Sequence, residues 1–269
     1  MSGGNRQFWV GGYTASMGGT AAGIGLARSR ADDGVLEYAG LAVPTSSPSF
    51  LARSASGVIF ATDEAGRIEA FRREGDHLVS IGGQPASGDS PCHVSVTDER
   101  LLVSNYGAGS IDVFPVAPSG QIGPILQTLH GSGSGPDSAQ DGPHAHSTLV
   151  GRTVLSADLG ADEVHVHSLE RGVLERIGTS RLPAGTGPRD LARLGGRIIV
   201  LGELSGALFA LDDAGAITAS GTLVADWVPG DHAAALAVDA SRRFLYSGIR
   251  GSDRIAVVRL ADLSPIASV

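Results

Sequence analysis

The sequence contains one cysteine, Cys92, only 5% aromatic residues and no long apolar run. A single cysteine excludes a disulfide within the chain and fits a reducing compartment. No stretch of 18 apolar residues is present, and the N-terminus MSGGNRQFWVGG lacks the apolar core of a secretory signal. We therefore expect a cytoplasmic protein.

Helical periodicity and basic runs are also absent. No segment sustains a 3.6-residue apolar period, which indicates an all-β chain. The net charge of −8 is spread along the sequence without a basic cluster. Nucleic acids and anionic membranes are therefore not expected as partners, because both require basic patches. An anionic small substrate would need a local cationic site.

Glycine, by contrast, is abundant (39 residues), and the chain repeats. Residues 101–114 (LLVSNYGAGSIDVF) read as two strands around a glycine-containing turn, which is a hairpin signal. The unit recurs at residues 58–71, 153–167, 198–211 and 243–257, with a worn copy at 8–28. Spacings of about 43 to 52 residues are typical of propeller blades. The sequence predicts a single β-propeller domain over residues 1–269, with six recognisable four-stranded antiparallel blades.

The two ends of the repeat do not match. The first copy has no room for an innermost strand, whereas the chain ends on SPIASV, which resembles an outermost strand. The array either closes at six blades or follows a seven-blade design without its last blade. Exposed strand edges are normally covered. We expect closure by another route or a homo-oligomer formed through a blade edge.

One irregular insertion, residues 130–142 (HGSGSGPDSAQDG), separates the third and fourth blades. A loop of this length and composition is either a flexible connector or a lid over a site.

Aligning the blades by their second strands reveals a recurring polar set. Four second strands are expected to start at Val58, Leu101, Thr153 and Ile198. Ten residues before each start lies a proline, a residue that suits the first position of a strand: Pro48, Pro91, Pro143 and Pro188. Five residues after the same starts lie Asp63, Tyr106, Asp158 and Glu203. In an antiparallel sheet, the start of one strand lies beside the end of the next strand. The residues that follow the prolines and the residues at the ends of the second strands should therefore lie on one face of the propeller, around the mouth of its central channel.

Converging polar groups at a concave mouth are the default hypothesis for a site. The candidate residues are His93, Tyr106, His144, His146, Asp158, Arg189, Glu203 and Asp63. Simpler interpretations stay open. Asp158 and Glu203 would also suit acceptors of turn amides, Arg189 and Asp190 a structural ion pair, and Cys92 a small buried apolar residue.

Two His-x-His pairs, His144/His146 and His165/His167, place both rings on one strand face, as in some metal sites. The sequence offers no cysteine or third ligand at a suitable spacing, so neither a metal nor another cofactor is predicted. His165 and His167 fall on a third strand and are expected at the surface.

Several motifs together resemble the lactonase family of seven-bladed β-propellers, of the bacterial cytosolic 6-phosphogluconolactonase type. The most specific are NYGAGSIDVFPV (105–116) and GPHAHS (142–147). GGYT, PSFLA, PCHV, DLGAD, GPRDL, GELS and FLYSGIRGSDRIAV accompany them in family order across nearly the whole chain.

The resemblance implies hydrolysis of a sugar lactone, most simply 6-phosphogluconolactone, without a required metal. In that chemistry His144 would act as general base, oriented by Glu203 or Asp158. Arg189 would bind the phosphate or the developing oxyanion. His93, Tyr106, His146, Asp158 and Asp63 would contact the substrate.

The chain departs from the family pattern at Asp190, where the family has histidine, at Gly202, and at Ala235 and Ala237. These departures leave two alternatives open. One is an enzyme of the same fold acting on another lactone, such as a muconolactone-type ring. The other is a propeller without activity that serves as a ligand-binding or interaction module.

Overall fold

The computed structural model describes residues 6–30 and 32–269, and within them the chain forms six antiparallel sheets. The strands of the first three sheets are β1 Gln7–Val10, β2 Gly23–Ser29, β3 Leu36–Pro44, β4 Pro48–Arg53, β5 Ile59–Asp63, β6 Arg67–Glu74, β7 His77–Pro85, β8 Pro91–Val96, β9 Arg100–Asn105, β10 Ser110–Pro115 and β11 Gln127–His130. Those of the last three are β12 Ala145–Leu149, β13 Val154–Asp158, β14 Glu163–Glu170, β15 Val173–Arg181, β16 Pro188–Leu194, β17 Arg197–Gly202, β18 Ala207–Leu211, β19 Ile217–Thr222, β20 His232–Val238, β21 Phe244–Arg250, β22 Arg254–Arg259 and β23 Ser264–Ser268.

Five sheets have four strands in chain order, and the first has three, β1–β2–β3. The predicted all-β propeller class with six blades is confirmed. The stretch before Arg6, on which the expected lack of an innermost strand in the first blade depends, lies outside the described residues. One 3₁₀ turn, Ala15–Met17, interrupts the strands. No helix in the described part of the chain is long and apolar enough to cross a bilayer.

The chain divides into two compact units. The first holds the described residues up to Gly107 together with Asp112–Thr128, and the second holds Ala108–Ile111 and Leu129–Val269. The single domain expected from the repeat stays a prediction.

Each unit has its own apolar core between neighbouring sheets. In the first unit, Phe60, Leu101 and Phe114 are fully buried in one cluster. In the second, Ile199 and Leu208 are fully buried among residues of the last two sheets. Because both faces of these sheets are covered, the second strands are continuous apolar runs such as IIVL (198–201) rather than alternating patterns.

A shift of register follows the first residue of four innermost strands. In β4, β8, β12 and β16 one residue lies opposite no partner on the next strand. The four unpaired residues are Ser49, Cys92, His146 and Arg189. Such a β-bulge re-aims its side chain without changing the pairing that follows.

The pairing corrects the predicted register in the fourth blade. Pro48, Pro91 and Pro188 begin their strands as expected, but the equivalent residue in the fourth blade is Ala145, opposite Asp158, and Pro143 lies before the strand. Consequently, His146 rather than His144 is the structural equivalent of Arg189.

The insertion 130–142 is anchored at a buried side chain. Gln140 is fully buried, and its Nε2 donates to the carbonyl oxygen of Leu159 and to Asp162 Oδ1, both at 2.8 Å. The backbone N–H of Asp137 donates to Gln140 Oε1 at 3.2 Å. These bonds tie the loop to the turn between β13 and β14, so the segment is held in place and is not a free connector.

We expect Gln140→Leu to lower the free energy of unfolding by roughly 2–4 kcal/mol, because the change removes a hydrogen bond to a carboxylate and leaves a buried carbonyl without that donor. Urea denaturation followed by circular dichroism measures the change. Gln121→Leu, at an exposed glutamine, is the control and should shift stability by less than about 0.5 kcal/mol. Equal effects of the two changes would contradict the anchoring role.

Candidate functional site

The carboxylate of Glu203 is the centre of a cationic cluster in the second unit. Arg189 Nη1 donates to its Oε2, and Arg250 Nη2 donates to its Oε1. His146 Nε2 lies 3.6 Å from Oε2, and His232 Nδ1 lies 3.5 Å from Oε1. Three consecutive sheets therefore contribute to one site, which we call the Glu203 cluster: His146, Arg189, Glu203, His232 and Arg250.

Strand ends and bulges hold these side chains in place. His146 and Arg189 occupy the bulges of β12 and β16, while His232 and Arg250 face each other at the paired ends of β20 and β21. Glu203 follows β17; its N–H donates to the carbonyl of Gly187 at 2.7 Å, and its own carbonyl accepts the N–H of Ala233 at 3.0 Å. Its backbone is thus fixed on both sides.

Asp162 supports the segment that leads into β16. Its Oδ2 accepts the N–H of Gly185 and its Oδ1 accepts the N–H of Gly187, both at 2.7 Å. Since Arg189 follows two residues later, this buried carboxylate positions the bulge that carries it. Gln140 donates to the same carboxylate, so the insertion 130–142 helps to hold Asp162, and through it the segment that carries Arg189, in place.

The cluster carries an excess of positive charge. Two guanidinium groups share one carboxylate, and the guanidinium of Arg189 also lies close to His146, with Nη1 and Nε2 2.9 Å apart. Arginine can only donate, so His146 Nε2 accepts and the ring proton resides on Nδ1. The Glu203 side chain is 11% exposed, whereas that of Arg250 is 54% exposed. The cationic side of the cluster therefore faces solvent, as an anion-binding site requires.

His144 has a different environment. Its Nε2 lies 3.1 Å from Asp141 Oδ1, and its backbone N–H donates to Asp158 Oδ1 at 2.8 Å. The His144 side chain is 12% exposed and Asp141 is 84% exposed. Asp158 thus contacts the backbone of His144, and the carboxylate beside its ring is Asp141, which the sequence analysis did not select.

Two of the predicted carboxylates serve turns. Asp158 Oδ1 also accepts the N–H of Ala161 at 3.2 Å, and Asp63 Oδ1 accepts the N–H of Ala65 at 3.0 Å. Both are buried last residues of their strands. The simpler interpretation, an acceptor of turn amides, describes this geometry.

The remaining predicted residues belong to the first unit. His93 lies in β8 and packs against Phe50, with ring centroids 4.2 Å apart and the ring planes tilted by 41°. Tyr106 follows β9, is half-buried and donates its backbone N–H to the carbonyl of Ser90 at 2.9 Å. Their part in substrate binding stays a prediction. Cys92 is half-buried at its bulge, not fully buried as the apolar interpretation suggested.

Asp190 does not form the ion pair suggested by its neighbour. Arg189 pairs with Glu203, while Asp190 Oδ2 accepts the N–H of Leu236 and its Oδ1 accepts the N–H of Leu191, both at 2.8 Å. Burial raises the pKa of the Asp190 carboxyl. Its hydrogen bond to Leu236 joins the innermost strands of two neighbouring sheets, β16 and β20.

The placement of His165 and His167 at the surface was wrong, since both are buried in β14. His167 Nε2 lies 2.9 Å from Ser156 Oγ, and His165 Nδ1 lies 3.2 Å from Thr179 Oγ1. Desolvation, with the nearby His165 and Arg176, lowers the pKa of His167 to about 3. Across residues 6–30 and 32–269 no three His, Cys, Asp or Glu side chains are grouped as metal ligands.

Sequence reasoning missed Arg250 and His232. The strand register could have indicated them. His232 and Arg250 form the first residue pair between the innermost and second strands of the sixth blade, as Pro188 and Gly202 do in the fifth blade. The sixth blade has no proline at that position, and β20 shifts register between Ala233 and Leu236, so the fixed spacing fails there.

Comparison with known proteins agrees with the fold and with these motifs. The family model for the lactonase seven-bladed β-propeller matches residues 7–266. The 6-phosphogluconolactonase of Bacillus subtilis is 31% identical over 244 residues, which are 83% of this chain and 70% of that protein. Among solved structures, a protein from Lactobacillus plantarum superposes with a TM-score of 0.89 at 28% identity, and the periplasmic gluconolactonase of Pseudomonas aeruginosa with 0.90 at 25%. Each superposition covers 98% of this chain and 82% of the other.

The match extends over nearly all of the residues that form the six sheets, and the expectation of a lactone hydrolase is confirmed at the level of the family. The chain belongs to the lactonase family of seven-bladed β-propellers.

Proposed function

We propose that the chain hydrolyses 6-phosphogluconolactone to 6-phosphogluconate at the Glu203 cluster. The observation that carries the proposal is the convergence of Arg189 and Arg250 on one carboxylate, at strand ends of a lactonase-family propeller. The similarity to the Bacillus subtilis 6-phosphogluconolactonase supports the choice of substrate.

The two arginines supply the binding chemistry. Planar guanidinium groups bind phosphate oxygens through paired hydrogen bonds, and the same donors stabilise an oxyanion as it develops. Glu203 holds both guanidiniums in place and is therefore a positioning residue. The net charge of −8 makes this local positive excess necessary for an anionic substrate.

His144 is the proposed general base. Asp141 beside Nε2 favours the tautomer with the ring proton on that nitrogen, which makes Nδ1 the basic nitrogen. His146 is a weaker choice because its Nε2 already accepts from Arg189. In the reaction His144 removes a proton from water, and the water oxygen adds to the lactone carbonyl. The carbon–oxygen bond of the ring then breaks, and the released ring oxygen takes the proton.

The direct test compares 6-phosphogluconolactone with unphosphorylated gluconolactone in a pH-stat assay, after subtraction of spontaneous hydrolysis. We expect kcat/KM to be at least ~10-fold higher for the phosphorylated lactone, since one charge-assisted contact provides this much discrimination. Equal kcat/KM values for the two lactones would contradict the proposed recognition of the phosphate group. Background rates on both, with binding of 6-phosphogluconate, would instead identify a ligand-binding propeller.

A further inference from the structure

A cavity lies in the second unit, at the opposite ends of the strands that carry the Glu203 cluster. It has a volume of about 510 Å³, within the range of sites for small molecules. It opens at the end of β16 and the start of β17, beside the start of β21. Phe244 in this cavity and Arg250 at the Glu203 cluster are the first and last of the seven residues of β21, which span roughly 20 Å.

The lining of this cavity combines cations with an apolar surface. Its cationic residues are Arg197, Arg242, Arg243 and Arg259. Its apolar surface includes Ile199 and Leu260, which are buried, and Phe244, which is half-buried. None of the described lining residues is acidic. In a chain of net charge −8, four arginines around one concavity form a marked local positive field.

The arginines differ in their existing contacts. Arg259 Nη1 lies 3.2 Å from Asp262 Oδ2, and Arg197 Nη1 donates to the carbonyl of Leu260 at 3.3 Å. The guanidinium carbon of Arg243 lies 5.0 Å from the centroid of the Phe244 ring. Guanidinium groups stacked on a ring keep their in-plane donors for a ligand. Arg243 is therefore suited to bind an anion at the edge of the apolar surface.

The turn that presents Arg242 and Arg243 is fixed by one carboxylate. Asp239 Oδ1 accepts the N–H of Arg243 and that of Phe244, both at 2.8 Å, and Oδ2 accepts the N–H of Ser241 at 3.1 Å. Bonds from the Ser241 hydroxyl and from this backbone lower the pKa of Asp239 to about 2. Arg242 has a positive φ of 56°. A preformed turn reduces the entropy lost on binding.

We propose that this cavity binds a small organic phosphate, in which a phosphate group contacts the arginines and an aromatic or aliphatic body lies against Phe244, Ile199 and Leu260. The several guanidiniums favour a phosphate over a carboxylate, because a phosphate offers more oxygens and up to two charges. The site is separate from the Glu203 cluster and does not depend on the proposed lactonase activity.

Isothermal titration with phenyl phosphate tests this site. The expected Kd is about 0.01–1 mM, in keeping with the size of the probe. The double change Arg242→Ser and Arg243→Ser should weaken binding at least ~10-fold. The control pair is Arg152→Ser with Arg171→Ser, which are exposed arginines outside the cavity. It alters net charge equally, and Arg171 has a φ of 54°, like Arg242. Its Kd should stay within about twofold of the parent.

A second pair of variants tests charge at constant shape. Gly195 lines the cavity with a φ of 62°, and an added Cβ there meets nothing within 4 Å. Asn and Asp both tolerate this backbone conformation. Gly195→Asp should weaken phenyl phosphate binding at least ~5-fold by adding a like charge, and Gly195→Asn should not.

The remaining titrations show where phenyl phosphate binds and which of its parts, the ring or the phosphate, contributes to affinity. Phenol and inorganic phosphate should each bind at least ~10-fold more weakly than phenyl phosphate, and benzoate should also bind more weakly. No binding of phenyl phosphate, equal effects of the cavity and control pairs, or loss of binding in Arg189→Ala alone would overturn the proposal. Equal affinity for benzoate would overturn the preference for phosphate.

Discussion

Arg189→Ala is expected to lower kcat/KM for 6-phosphogluconolactone by about 10²–10³-fold, the usual loss when one donor to a developing oxyanion is removed. The change takes away the guanidinium that joins Glu203 to His146, so it removes both a ligand for the anion and an ordering contact. Steady-state kinetics after subtraction of spontaneous hydrolysis measures the effect.

Arg193→Ala is the matched control. Arg193 lies on the same strand, β16, and pairs with the exposed Asp213 at 3.2 Å. Its kcat/KM should stay within about twofold of the parent. Arg189→Lys should restore only part of the activity, since lysine keeps the charge without the planar pair of donors. Full activity in Arg189→Ala would exclude the Glu203 cluster as the site of lactone hydrolysis.

His144→Ala should reduce kcat by about 10²–10⁴-fold if its ring removes the proton from water. The acid limb of the rate–pH profile should also disappear from the residual activity, because the group whose protonation stops the reaction has been removed. A merely structural loss would lower the rate without changing the shape of the profile.

His146→Ala separates the two histidines of the motif. It removes the acceptor of Arg189 and should raise KM by several-fold while kcat changes less, because the guanidinium loses its partner but keeps Glu203. His77→Ala, at an exposed position in β7, should leave both constants unchanged. If His146→Ala abolishes turnover and His144→Ala does not, the assignment of the base is reversed.

Much of the fold follows from the sequence because each blade repeats the same local signals. The apolar second strands and their glycine turns predicted β5, β9, β13 and β17 to within one or two residues. The prolines also predicted the start of β4, β8 and β16. In the fourth blade, pairing begins two residues after the proline, at Ala145. Spacing alone therefore placed His144 where the structure has His146.

The site was predicted only in part, because side-chain contacts depend on more than strand position. Arg189 and Glu203 were predicted as site residues and form an ion pair. Arg250, which also pairs with Glu203, was not predicted because the register of its neighbour β20 is irregular. The burial of His165 and His167 was missed because the sequence of β14 does not show that the face carrying these two rings is covered. Their rings are buried with the hydroxyls of Thr179 and Ser156 as neighbours, which reduces the cost of removing them from water.

The bulge near the start of β4, β8, β12 and β16 lets the chemistry of these four blades vary independently of their packing. Ser49, Cys92, His146 and Arg189 share one structural position, yet they are a hydroxyl, a thiol, an imidazole and a guanidinium. Because the pairing resumes unchanged after each of them, this position accepts a new side chain without altering which residues enter the core. Substrate preference in such a scaffold can thus diverge blade by blade while the sheets that support it stay the same.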